Sequence, residues 1–242
     1  MKARLPVKTV LFDLDGTLLP MDQDVFTKAY FVALTEKLAP HGYDPDALVR
    51  GIWTGTASMV RNDGSKTNEA AFWDAFAAIF GDRVYKDKAL FDAFYAGDFD
   101  KAQKVCSFAP EARAAVKELK ADGCQIILAS NPIFPLTAQK KRMEWAGLDT
   151  EDFSYITSYE NSHYCKPNPD YYREILSITG CPAEDCLMVG NDANEDMAAA
   201  DAGIRVFLLT NCLINSKGKD ISAYPRGGFG QLMEFVCTLK QS

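Results

Sequence analysis

Residues 10–17 read Val-Leu-Phe-Asp-Leu-Asp-Gly-Thr. An apolar run running straight into polar residues reads as a strand buried on both faces, the kind found in parallel sheets. Asp13 and Asp15 then stand at the carboxyl end of that strand, where open α/β sheets bind their ligands. Two acids this close repel each other unless a cation or a shared proton compensates. The pair therefore predicts a metal-assisted nucleophile with an acid/base neighbour. The alternation from strand into turn separates their directions and allows them different roles. Gly16 permits a tight turn near a ligand, and Thr17 can cap the next turn. Taken alone, the stretch also suits a solvated acidic turn.

Outward from this stretch, further short apolar runs lie at residues 125–129, 155–157, 187–189 and 205–209. Helical periodicity marks 111–121, 136–145, 169–178 and 194–202, with Gly147, Gly180 and Gly203 at or just past three of the ends. Strands alternating with helices of this length predict an α/β fold with a parallel sheet. Residues 18–105 interrupt the rhythm with helical patterns at 25–38, 69–80 and 88–95 and no strand. They read as a helical insert, with 98–108 returning the chain to the core. Residues 224–230 read as a loop before a final helix at 231–239.

Composition narrows the function. The chain has 242 residues, 48% of them hydrophobic, enough for one large domain or a core with an insert. Twenty-six basic residues against 33 acidic give a net charge of −7, which argues against a nucleic-acid surface. A small anionic substrate stays compatible, because a bound cation and a placed lysine reverse the sign locally. No apolar run approaches the ~18 residues of a membrane span. Residues 1–8 lack a signal-peptide core, so a cytoplasmic protein is expected. The seven cysteines are odd in number and form no CxxC, which predicts reduced thiols. With only His41 and His163 in the chain, a zinc site is not expected.

Three more segments carry chemistry. Ser130 and Asn131 follow the strand at 125–129, where a hydroxyl can bond a phosphate oxygen; a turn or helix cap explains them equally well. Lys166 lies in Tyr-Cys-Lys-Pro-Asn-Pro (164–169), where two prolines stiffen the entry to the next helix, although most single lysines are solvated. Residues 189–196 read Val-Gly-Asn-Asp-Ala-Asn-Glu-Asp, again a strand end followed by acids. Asp192 and Asp196 are four apart, so a helix would put them on one side, and hard oxygen ligands suit Mg²⁺. Helix capping explains the same acids, and Glu195 reads as a helix-end charge.

In this order, on strands ending at one sheet edge, the four segments resemble the haloacid dehalogenase superfamily. The matching residues are Asp13-Leu14-Asp15-Gly16-Thr17, Ser130, Lys166, and Asp192 with Asp196. The resemblance implies a Rossmann-like core of strand order 3-2-1-4-5, formed by residues 1–17 and 106–242. It implies an all-helical cap of the C1 class over residues 18–105. It also implies a Mg²⁺-dependent phosphatase acting on a small phosphorylated metabolite, as a monomer or homodimer, with no nucleic-acid or membrane partner. Asp13 would attack phosphorus, and Asp15 would protonate the leaving oxygen and then activate water. Mg²⁺ would bind the Asp13 and Asp192 side chains and the Asp15 carbonyl. Ser130, Asn131 and Lys166 would hold the phosphoryl group, with Thr17 and Asp196 in support. Asn191 stands where many helical-cap members have glycine. Asp15 argues against dehalogenation, since the dehalogenases lack it, and nothing marks Lys28 or Lys66 as an imine-forming lysine. A phosphotransferase or sugar-phosphate mutase uses the same residues, and a non-catalytic binding module would be expected to lack one of them. In the cap, the polar stretch 61–68 is the candidate to reach the site, through Arg61, Asn62 and Lys66; an exposed helix–helix connection explains it equally well. Trp53 and Trp73 are expected in the cap core.

Overall fold

A computed structural model describes residues 7–240; the N-terminal reading of residues 1–6 and the last two residues lie outside it. The first strand, β1 (Thr9–Phe12), is buried at every position and lies in the middle of a parallel sheet. It pairs on one side with β2 (Gln125–Leu128) and on the other with β4 (Cys186–Gly190). β3 (Tyr155–Ile156) and β5 (Arg205–Leu209) lie outside these, giving 3-2-1-4-5 as expected. A two-residue strand, β6 (Arg226–Gly227), adds to β5 where a loop was expected, so the order is 3-2-1-4-5-6.

The register sets the site. Phe12 aligns with Leu128 and with Val189, so the residues after each strand emerge together at one edge. Main-chain bonds fix that edge: Asp13 N–H donates to the Val189 carbonyl at 2.9 Å, and Ala129 N–H to the Phe12 carbonyl at 2.7 Å. Helices α5 (Pro110–Ala121), α6 (Leu136–Trp145), α7 (Pro169–Thr179) and α8 (Phe229–Lys240) accompany the sheet. α7 shows how local sequence sets an end: Asn168 caps it, Pro169 opens it, and left-handed Gly180 closes it.

The expected helix at 194–202 is a turn followed by a 3-10 helix over Met197–Ala202. The reason lies in the acids. Asp192 Oδ1 accepts from the Asn194 and Glu195 N–H groups, and Asp196 Oδ2 from the Asp192 N–H, so side chains take the place of helical bonds.

Between β1 and β2 the chain forms α1 (Gln23–Leu38), α2 (Pro45–Val60), α3 (Asn68–Phe80), α4 (Arg83–Ala96) and a 3-10 segment, Asp98–Val105. α2 and α3 pack closely because α2 carries Gly51 and Gly55. A Cβ on Gly51 would lie 2.6 Å from Phe80, and one on Gly55 would lie 2.4 Å from Phe72. No helix among the described residues is long and apolar enough to cross a membrane.

Candidate active site

Lys166 organises the site. Its ammonium donates to Asp13 Oδ1 at 2.8 Å and to Asp196 Oδ1 at 2.6 Å, with all three side chains almost fully buried. Burial opposes the charge on Lys166, yet Asp13 and Asp196 overcome that and hold its pKa well above the usual lysine range. Burial likewise raises Asp196 against the pull of Lys166. Asp196 ties this pair to the fourth segment, since its other oxygen takes the Asp192 N–H at 2.8 Å. It sits tight against the strand end: a Cβ on Gly190 would lie 2.2 Å from its Cγ.

The remaining expected residues gather around this pair. Ser130 is buried beside Asp13 in the cavity wall, and its carbonyl is held by Thr157 Oγ1 and the Tyr171 hydroxyl, both at 2.8 Å. Asn131 bridges two loops, accepting the Lys166 N–H at 3.3 Å and donating to Glu195 Oε2 at 3.1 Å. Thr17 donates to Asn191 Oδ1 at 3.0 Å, locking the turn after β1 to the loop after β4. Gly16 is needed there: its φ is +84°, and a Cβ would lie 2.3 Å from Asn191 Nδ2. Glu195 is not a solvated helix-end charge. It is half-buried in the cavity wall, and burial raises its carboxyl to about 7.

Asp15 stands apart from the lysine and meets a residue outside the expected set. Its Oδ2 pairs with Arg142, a fully buried guanidinium on α6. Arg142 also donates to Gln139 Oε1 at 2.6 Å and to the Ala138 carbonyl at 3.3 Å, and stacks 4.3 Å over the Phe134 ring. Burial raises the Asp15 pKa, with Arg142 pulling against it. Asp15 Oδ1 is buried with no hydrogen-bond partner. The sequence offers one signal for this arrangement: Gln139 and Arg142, three apart, are polar residues on the face α6 turns inward.

Above these residues lies a cavity of about 220 Å³. Its floor carries the carboxylates of Asp13, Asp15, Asp192, Glu195 and Asp196 with Ser130 and Asn131, and its walls are mainly aromatic rings from α1–α4. The segment 61–68 does not line it. Lys66 pairs with Asp74 at 2.8 Å, and Asn62 bonds Asn68 at 2.9 Å. Asn68 is the residue that reaches the core, donating to the Pro132 and Tyr164 carbonyls. Trp73 is buried as expected, whereas Trp53 is 53% exposed, and both line the cavity. Among the described residues, no three His, Cys, Asp or Glu side chains converge as a metal cage.

Residues 7–203 match the haloacid dehalogenase-like hydrolase family. The chain belongs to that family. Phosphoglycolate phosphatase 1 of Pseudomonas aeruginosa is 27% identical over 222 residues, 86% of this chain and 70% of that protein. Pyrophosphatase PpaX of Halalkalibacterium halodurans is 23% identical over 201 residues, covering 83% and 82%. Among solved structures, the HAD-hydrolase YfnB of Bacillus subtilis bound to magnesium superposes with a TM-score of 0.55 at 18% identity, covering 96% of this chain and 99% of that one. The sequence relatives are phosphatases, and the first motif keeps its second acid, Asp15; both place this chain among the phosphatases of the family.

Proposed function

We propose that the protein is a Mg²⁺-dependent phosphomonoesterase that works through an aspartyl-phosphate on Asp13, with residues 18–105 acting as a cap over the site. The observation that carries this reading is the Lys166 ammonium between Asp13 and Asp196. It positions and charge-compensates one oxygen of Asp13, while Oδ2 takes no hydrogen bond from the described residues. In the first step Asp13 Oδ2 attacks phosphorus, the ester P–O bond breaks, and the leaving oxygen takes the proton of Asp15. In the second, Asp15 takes a proton from water as that water attacks phosphorus. The acyl-phosphate bond then breaks, releasing phosphate and restoring Asp13. A carboxyl raised by burial suits Asp15 for the first role, and its pairing with Arg142 suits it for the second. Ser130 and Lys166 would hold phosphoryl oxygens. Phosphoryl transfer requires chiefly such positioning and charge neutralisation.

The donor set fits a divalent cation. Five carboxylates line the cavity floor, and the buried cations beside them, Lys166 and Arg142, do not balance the charge. Mg²⁺ prefers hard oxygens, takes one or two carboxylates and keeps several waters, so it needs no cage of three acids. The Asp13 and Asp192 side chains and the Asp15 carbonyl would hold it. When bound, it neutralises charge on the phosphoryl oxygens. The test is steady phosphate release from p-nitrophenyl phosphate with Mg²⁺. Release should fall to background with EDTA and in Asp13→Asn, and an Asp13→Asn variant of undiminished activity would sink the mechanism.

A further inference from the structure

We propose that the substrate is the phosphate monoester of a neutral alcohol bearing a single aromatic ring. This rests on the phosphohydrolase reading above and concerns the other half of the same cavity. A phosphoryl group at Asp13 leaves the ester's organic part among rings from the helices. Phe26, Tyr30 and Phe31 of α1, Trp53 of α2, Phe72 of α3 and Tyr95 of α4 form that wall. At its helical end no lysine, arginine or histidine lines the cavity among the described residues, and the polar side chains there, Gln23, Thr27 and Thr56 among them, are neutral. A second anionic group on the leaving part would face apolar rings there and meet no cation, which disfavours it. The floor's surplus of carboxylates adds repulsion. Glycolate and a second phosphate, the groups named in the two curated relatives, are both anionic leaving groups of that kind.

Size points the same way. An apolar cavity of about 150 Å³ holds benzene, and this one measures about 220 Å³ for the phosphoryl group and the ring together. That volume accommodates one ring beside the phosphoryl group. Trp53 is half exposed in its wall, with its ring centroid 5.6 Å from that of Phe31, and so offers a free face for stacking.

Initial rates with Mg²⁺ on benzyl phosphate, ethyl phosphate and 2-phosphoglycolate test this, since all three are esters of primary alcohols. Burying the ring should raise kcat/KM for benzyl over ethyl phosphate by roughly 10- to 100-fold, and phosphoglycolate should fall below ethyl phosphate. Trp53→Ala removes an exposed ring and should keep the parent's Tm. It should lower kcat/KM for benzyl phosphate by about tenfold and for ethyl phosphate by a clearly smaller factor. Phosphoglycolate outpacing benzyl phosphate, or Trp53→Ala lowering both neutral esters equally, would overturn the inference and leave the phosphatase standing. Release from none of the three would overturn the phosphatase reading, and this inference with it.

Discussion

Replacing Arg142 with Met tests the least expected part of the site. Met keeps most of the packing volume and removes the charge, so the loss falls on the partners. Arg142 is fully buried and meets Asp15, Gln139 Oε1, the Ala138 carbonyl and the Phe134 face. Breaking a buried ion pair costs about 3–5 kcal/mol, because the abandoned charge stays out of water. Asp15 keeps 21% side-chain exposure and can take up a proton, which lowers the expected cost to about 2–4 kcal/mol. The cost should also depend on pH. Burial already raises the Asp15 pKa and Arg142 opposes that rise, so its removal lifts the pKa further. A carboxyl raised in the folded state holds a proton that the unfolded chain has released, so stability falls as pH rises from about 4 through the folded pKa. Urea unfolding at pH 5 and pH 8 should show the larger deficit at pH 8. Asp15→Asn combined with Arg142→Met should cost less than the sum of the two single changes. On the proposed mechanism the pH profile of kcat should also move to higher pH, which a purely structural role for Arg142 does not require. A deficit under about 0.5 kcal/mol with an unmoved pH profile would refute the reasoning.

Two further outcomes rest on the same geometry. Lys166→Met leaves Asp13 and Asp196 facing each other unpaired; kcat/KM should fall about 10²–10³-fold, and urea unfolding should show a loss of about 3 kcal/mol. Burial raises Glu195 to about 7 from 4.5, so the folded state keeps its proton while the unfolded chain loses it across that window, and stability declines with rising pH. Glu195→Gln, measured in EDTA, should match the parent near pH 4.5 and exceed it by about 1–3 kcal/mol at pH 8.

The sheet was legible because its strands are short apolar runs that stop at polar residues. β5 has the expected bounds, and the candidate residues Asp13, Ser130, Lys166, Asp192 and Asp196 all reach one edge. What escaped the sequence is governed by partners distant along the chain. Gly51 and Gly55 weaken the helical signal of α2, yet they admit Phe72, Phe76 and Phe80. β6 is two residues long and carries no period of its own. Asp192 and Asp196 have the composition of a helix start, but their side chains bind the main chain and make a turn. Arg142 and Gln139 look like solvent-facing residues of a polar helix until Asp15 and Phe134 are placed against them. The stretch 61–68 is polar because it turns away from the cavity, and the aromatic wall comes from helix faces that read as ordinary core.

On the proposed mechanism Asp13 carries the phosphoryl group. On that mechanism Asp15→Asn removes the base that activates water, so in this variant the covalent intermediate should accumulate. The variant should be incubated with p-nitrophenyl phosphate and Mg²⁺, quenched in acid, digested and analysed by mass spectrometry. One phosphoryl group should appear on the peptide that holds Asp13, located at that residue and absent when Asp13→Asn is added. A phosphoryl group on another residue, or its persistence in the double variant, would rule out Asp13 as the nucleophile.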